Sequence, residues 1–271
     1  MGQLWVAEAD WMPKRISVWD TATGALKRSH YGPPHYGGGG TLDPSDKTRL
    51  FHGEFSCTLE FKLDWKTGTA KLVAIPVRQE VQKIGYTMEL GYGPEVPWHV
   101  NGRTYLSLGY QTAHRSNNSN GLWLYDDAKK TAMPVSHVGS FMPWLKQDEK
   151  LNEERYKEIK KELGVNQFEP YFAPLTCWTD GNGDGWLSRN ELKFRLFPEH
   201  DGKVMRNSTQ VRPLSGFFFF SPLADLSLCG SWNIMIPPPT FRSDGAPVYD
   251  LSKAKFMIPP SNEQCWEGDG Y

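Results

Sequence analysis

Short stretches in which apolar and polar residues alternate recur along this chain, several of them ending in an aromatic residue and an aspartate just before a polar reversal. Four stand out. Ile16-Ser17-Val18-Trp19-Asp20 runs into Thr21-Ala22-Thr23-Gly24, and Phe61-Lys62-Leu63-Asp64-Trp65 into Lys66-Thr67-Gly68. Leu122-Trp123-Leu124-Tyr125-Asp126 runs into Asp127-Ala128-Lys129-Lys130, and Pro247-Val248-Tyr249-Asp250 into Leu251-Ser252-Lys253. Alternation with period two is the mark of a half-buried strand. An aspartate can hydrogen-bond the backbone just downstream, and a glycine can take positive φ, so each junction suits a tight turn. The pattern predicts β-hairpins that turn at Asp20, Asp64, Asp126 and Asp250. Asp180 closes a further apolar stretch, Tyr171 to Trp178, and opens a longer polar loop. The intervals between these aspartates are near or somewhat above the roughly 40 to 50 residues of a propeller blade, with inserted loops taking up the excess.

One segment departs from the β pattern. Over residues 148–163, Leu151, Tyr156, Ile159 and Leu163 fall near helical spacing among Glu and Lys, and Gly164 follows as a stop. The spacing predicts an inserted surface helix that packs one narrow face on the sheets. The whole chain, 1–271, then reads as one all-β domain, a β-propeller-like repeat of hairpins or blades, with an incomplete array or a fragment left open.

Composition agrees with a folded β protein. Hydrophobic residues at 39% and charged residues at 23% exclude a disordered tail. The 26 Gly and 20 Pro supply the punctuation that many short strands require. No apolar run approaches the roughly 20 residues of a membrane helix, so no membrane insertion is expected. A net charge of −1 offers no clustered cation for phosphates, and no nucleic-acid role is expected either. Cys57, Cys177, Cys229 and Cys265 show no C-x-x-C spacing, which points to buried free thiols over a zinc site, with a Cys229–Cys265 disulfide left open. Strand-like Leu4-Trp5-Val6-Ala7 follows Met1 almost at once, with no basic n-region or apolar h-region of a secretory signal.

The chemistry sits in residues 180–191, Asp-Gly-Asn-Gly-Asp-Gly-Trp-Leu-Ser-Arg-Asn-Glu. Calcium is a hard cation that takes six to eight oxygens. A short loop supplies them when alternate residues point inward and a glycine allows a sharp bend. Asp180, Asn182 and Asp184 offer side-chain oxygens at positions 1, 3 and 5, and Gly185 at position 6 permits the bend. Trp186 offers its backbone carbonyl, Ser188 acts directly or through water, and Glu191 at position 12 offers both carboxylate oxygens. A plain turn needs one or two such residues, whereas three carboxylates crowded together repel unless a cation joins them. Magnesium demands octahedral geometry and keeps its waters, and zinc would want His or Cys.

The pattern DxNxDGxxSxxE is similar to the EF-hand calcium loop at every liganding position, and Leu187 matches the apolar residue beneath it. The flanks differ from that family. Pro170 and Pro174 interrupt the approach, and Leu192, Phe194 and Leu196 alternate with Lys193 and Arg195 as in a strand. The ligand set is therefore expected without the helix pair, and without the opening motion of paired EF-hands. The strings LWVAEADWMPKRISVWDTATGALKRSHYGPPHYGGGGTLDP, FKLDWKTGTAKLV and GAPVYDLSKAK resemble secreted bacterial NHL-type β-propeller repeats, which implies blades around a central channel.

Two functions follow as expectations. The first is a calcium-binding β-repeat protein in which the ion stabilises a strand–loop–strand hairpin of a binding or structural module. Three carboxylates with neutral Asn182 and Ser188 imply an affinity of roughly 10⁻⁵ to 10⁻³ M, which suits an extracellular or periplasmic setting; no protein or carbohydrate ligand is named by the residues. The alternative is a propeller hydrolase or lyase with Glu8, Asp10 and Glu54 in its channel. Two carboxylates and a His gathered on one concave face would favour it.

Overall fold

Tight reversals at Asp20, Asp64 and Asp126 organise the first half of the chain. The computed structural model describes residues 2–8, 15–31, 40–54, 57–78, 93–108, 119–140, 149–164, 175–195, 199–200, 203–204, 220–230 and 234–257. Asp20 Oδ1 accepts the amides of Ala22 at 2.9 Å and Thr23 at 3.0 Å. Asp64 Oδ1 does the same for Lys66 and Thr67, and Asp126 Oδ1 for Ala128 and Lys129. The fourth residue after each aspartate turns left-handed: Gly24 at φ +68°, Gly68 at +66° and Lys130 at +54°. Gly68 suits its turn by this backbone, and a Cβ there would also displace the Arg28 guanidinium that lies over it. Lys130 adopts a conformation unfavourable to a side chain, and its Nζ reaches Asp127 at 3.2 Å and Glu60 at 3.3 Å.

These turns join strands into open antiparallel sheets. The first contains β1 (Gln3–Glu8), β2 (Arg15–Asp20) and β3 (Leu26–Tyr31). The second contains β4 (Thr41–Leu42), β5 (Arg49–Glu54), β6 (Cys57–Asp64) and β7 (Thr69–Arg78). The third is a six-stranded meander of β8 (Val96–Val100), β9 (Arg103–Ser107), β10 (Ser119–Asp126), β11 (Thr131–Ser140), β12 (Leu175–Thr179) and β13 (Leu192–Arg195). After the short pair β14 (Glu199–His200) and β15 (Lys203–Val204) comes a fourth sheet. It orders β16 (Phe220–Pro222), β17 (Leu228–Gly230), β18 (Ile234–Ile236) and β21 (Lys255–Phe256), with the hairpin β19 (Thr240–Phe241) and β20 (Pro247–Val248) inserted before its last strand. The all-β expectation holds at this level.

The six-stranded sheet is the middle layer. On one face Tyr105, Leu122, Val138 and Cys177 pack with Phe220, Leu228, Ile234 and Ile236 of the fourth sheet. On the other, Leu106, Trp123, Trp178 and Leu192 pack with Phe51 and Val77 of the second sheet. Trp123 and Trp178 are fully buried, and each buried aromatic of this size contributes on the order of 2–3 kcal/mol relative to exposure.

The helix expected over 148–163 is α1 (Glu149–Leu163), with Asp148 outside the described residues. Ile159 enters the second core, Leu163 packs against it, and Glu154, Lys157 and Glu158 face out, as a helix with one narrow apolar face should. Among the described residues no helix is long and apolar enough to cross a membrane. Of the cysteines, Cys177 is buried and Cys57 and Cys229 are half-buried, with no disulfide among these three, and Cys265 lies outside the described residues.

The hairpin expected at Asp250 is a correction. Asp250 Oδ1 accepts the Ser252 amide at 2.9 Å and its Oγ at 2.6 Å, capping a 3₁₀ turn at Leu251–Lys253, and the chain then crosses to β21 beside β18. An aspartate satisfies the next free amides in either setting, so its local chemistry does not distinguish a hairpin from a cap. Buried Leu251 pulls this one into the core.

His137 on β11 is buried, and its Nε2 has no hydrogen-bond partner among the described residues. Burial alone pushes its pKa down from 6.5 to about 4, so the fold holds it neutral. The unfolded chain binds the proton more readily. Stability from this group is therefore complete above pH 6.5 and is lost as pH falls towards 4, by up to about 1.4 kcal/mol per pH unit. Urea melts across pH 4 to 7 are expected to show that slope, and the His137→Asn variant a shallower one.

Candidate metal site in the β12–β13 loop

Residues 180–191 connect two strands of one hairpin. Trp178 pairs with Leu192 and Cys177 with Lys193, so the chain enters along β12 and leaves through a 3₁₀ turn, Arg189–Glu191, into β13. The approach is a strand, as its β-prone residues imply. Alternation of buried Leu192 and Phe194 with Lys193 and Arg195 carries the exit back along the sheet.

The loop is folded by its own side chains. Buried Asp180 accepts Gly183 N at 2.7 Å on Oδ1 and Gly185 N at 3.0 Å on Oδ2. Asn182 Oδ1 accepts Asp184 N at 3.0 Å, and Asp184 Oδ1 accepts Trp186 N at 2.7 Å. Gly183 and Gly185 take φ of +79° and +71°, and a Cβ on Gly185 would meet Met133 Cε at 2.9 Å. Position 6 thus favours glycine through its left-handed backbone, and a side chain there would push aside the end of Met133. Asn182, Asp184 and Trp186 are exposed, while Leu187 packs against the second core.

Glu191 closes the loop. Its Oε1 accepts Gly181 N at 2.7 Å, which returns position 12 to the start of the loop beside Asp180. Its Oε2 accepts Trp178 Nε1 at 2.9 Å and Ser188 Oγ at 2.6 Å. Burial raises the pKa of this carboxyl, but the hydrogen bonds from Ser188, Trp178 and Gly181 outweigh it and hold the group below its ordinary value. It stays ionised. Arg189 anchors the exit to α1 through Glu158 at 2.9 Å and Glu162 at 2.5 Å.

The donor set suits a hard cation. All six proposed ligands offer oxygen, and a carboxylate has about four acceptor positions, so Asp180 and Asp184 keep capacity beyond their present bonds. The arrangement is not a closed cage, however. Among the described residues no three His, Cys, Asp or Glu side chains are gathered as a metal-holding group. Glu191 reaches the loop's start at the Gly181 amide, Asp180 is taken up by the amides of Gly183 and Gly185, and Asp184 is turned to Asn182 Nδ2 at 2.8 Å.

A second polar constellation lies in the seam between the second and third sheets, and the repeat pattern did not single it out. Arg49 stacks 4.6 Å from both Phe51 and Tyr125 and donates to buried Glu60 at 2.7 Å. Tyr125 Oη also donates to Glu60, and Lys130 and Asp127 complete the group. Burial and the Glu60 carboxylate push the Tyr125 pKa far up, so the phenol keeps its proton. Nearby, buried Asp43 Oδ1 meets His99 Nε2 at 2.7 Å and Ser45 Oγ at 2.6 Å. Burial raises the Asp43 carboxyl, but these two partners bring it below its usual value. A carboxylate this close requires the proton on Nε2, so His99 donates and is not a base towards Ser45, 3.0 Å away. The two carboxylates and the histidine are thus spent on bridging sheets. The channel candidates Asp10, Glu8 and Glu54 have side chains outside the described residues.

Arg49→Ala would leave Glu60, 2% exposed, with Lys130 as its remaining cation. Breaking such a pair from one side is expected to cost about 3–5 kcal/mol in urea unfolding, and a loss below about 1 kcal/mol would contradict the clamp. Compared with protein-family models and with curated protein sequences, the chain returns no match.

Proposed function

We propose that this protein binds one calcium ion in the 180–191 loop and that the ion staples the β12–β13 hairpin of a β-repeat binding or structural module. The observation that carries the reading is the hydrogen bond from Gly181 N to the Glu191 carboxylate, which brings position 12 back to position 2 in a loop already bent by Gly183 and Gly185. Asp180, Asn182 and Asp184 would hold the ion through side-chain oxygens. Trp186 would do so through its carbonyl, Ser188 directly or through water, and Glu191 through its carboxylate. A bound cation would supply the positive charge that three carboxylates lack. The EF-hand resemblance enters as a ligand pattern on a strand–loop–strand frame, with no helix pair to open. The stacked sheets would be blades of a propeller-like array. With three charged ligands, affinity belongs in the range of roughly 10⁻⁵ to 10⁻³ M, appropriate to an extracellular or periplasmic setting.

Calorimetric titration with calcium, paired with thermal melts in calcium and in chelator, tests the reading. A ligand that binds only the folded state, at a hundredfold excess over Kd, stabilises by about 2.7 kcal/mol, seen as a rise in Tm without a change in β circular dichroism. Glu191→Gln or Asp180→Ala is expected to remove most of that rise. Absence of binding heat together with a Tm indifferent to millimolar calcium and chelator would sink the proposal.

A further inference from the structure

Glu191 is held from outside its own loop. The donor is the indole of Trp178, a residue on β12 that is fully buried in the core between the second and third sheets. Trp178 Nε1 donates to Oε2 at 2.9 Å, and the same oxygen accepts Ser188 Oγ at 2.6 Å and Ser188 N at 3.4 Å. A carboxylate oxygen has about two lone-pair positions, so three donors fill Oε2. Oε1, with Gly181 N as its donor among the described residues, keeps capacity. Coordination through both oxygens therefore conflicts with the present position of Oε2.

We infer that Trp178 is a latch on Glu191: its buried N–H holds the carboxylate on the hairpin's own donors, and Glu191 must give up that bond to present both oxygens to a calcium ion. This rests on the calcium reading of the loop and adds what sets its affinity. The cost of release falls on the indole. An N–H left without an acceptor in a dry core is destabilising, so affinity is lower than the ligand set alone would provide. Trp178 is a positioning residue here, with no contact to the ion. Because it lies in the core and Glu191 in the loop, the latch also makes the indole a reporter of the site.

Trp178→Phe keeps an aromatic ring and removes the donor. Calorimetric titration of the full-length variant and the unmodified protein with calcium chloride is expected to give a Kd about tenfold lower in the variant, with folding checked by melts of both. Binding in the unmodified protein with equal or weaker affinity in the variant overturns the latch and leaves the calcium site standing. Binding in neither overturns site and latch together. Should the variant fail to fold, the Trp178 indole ¹H–¹⁵N resonance of the unmodified protein decides. It is expected to shift and to lose hydrogen-exchange protection at saturating calcium, and an unmoved, protected resonance overturns the inference.

Discussion

Burial of both faces of the β8–β13 sheet is the constraint from which the rest of the structure follows. A sheet covered on both sides needs apolar residues at consecutive positions, and Tyr105-Leu106, Leu122-Trp123 and Cys177-Trp178 meet that need, each pair sending one side chain to each layer. The neighbouring sheets are then held through the side chains of this one. α1 joins the same core through Ile159.

Polar groups join the layers where apolar packing ends. Arg49, wedged between Phe51 and Tyr125 and paired with Glu60, links the second sheet to the turn after β10. Tyr105 Oη donates to the Gly245 carbonyl and Arg103 to those of Ser243 and Asp244, tying the β19–β20 hairpin to β9. Such buried bonds contribute little net energy when satisfied and cost much when one partner is missing, so they select one stacking of the sheets over its alternatives.

The candidate metal loop belongs to this architecture. Its entry strand is in the core, its exit is braced on α1 through Arg189, and Glu191 spans the two ends through Trp178 and Gly181. Residues that look like a ligand list in the sequence are therefore also the loop's internal scaffold. That dual use explains why the loop is already bent while its carboxylates are not gathered as a metal group.

Local chemistry was legible in the sequence wherever it was self-contained. Period-two alternation marked β2, β6 and β10, the Asp-to-Gly spacing marked the turns after β2 and β6 and Asp126 the turn after β10, helical spacing marked α1, and the 180–191 pattern marked a bent loop between strands, because each depends on neighbours within a few residues. What needed distant partners was not legible. Asp250 and Asp126 are alike in sequence, yet one caps a 3₁₀ turn and the other a hairpin, since buried Leu251 has a core to enter. Arg49, Glu60 and His99 carry no motif, and only the stacking of two sheets turns them into a clamp. Glu191 was readable as a ligand but not as the acceptor of a core indole, because strand register, set by burial of Trp178 opposite Leu192, brings that N–H to its carboxylate.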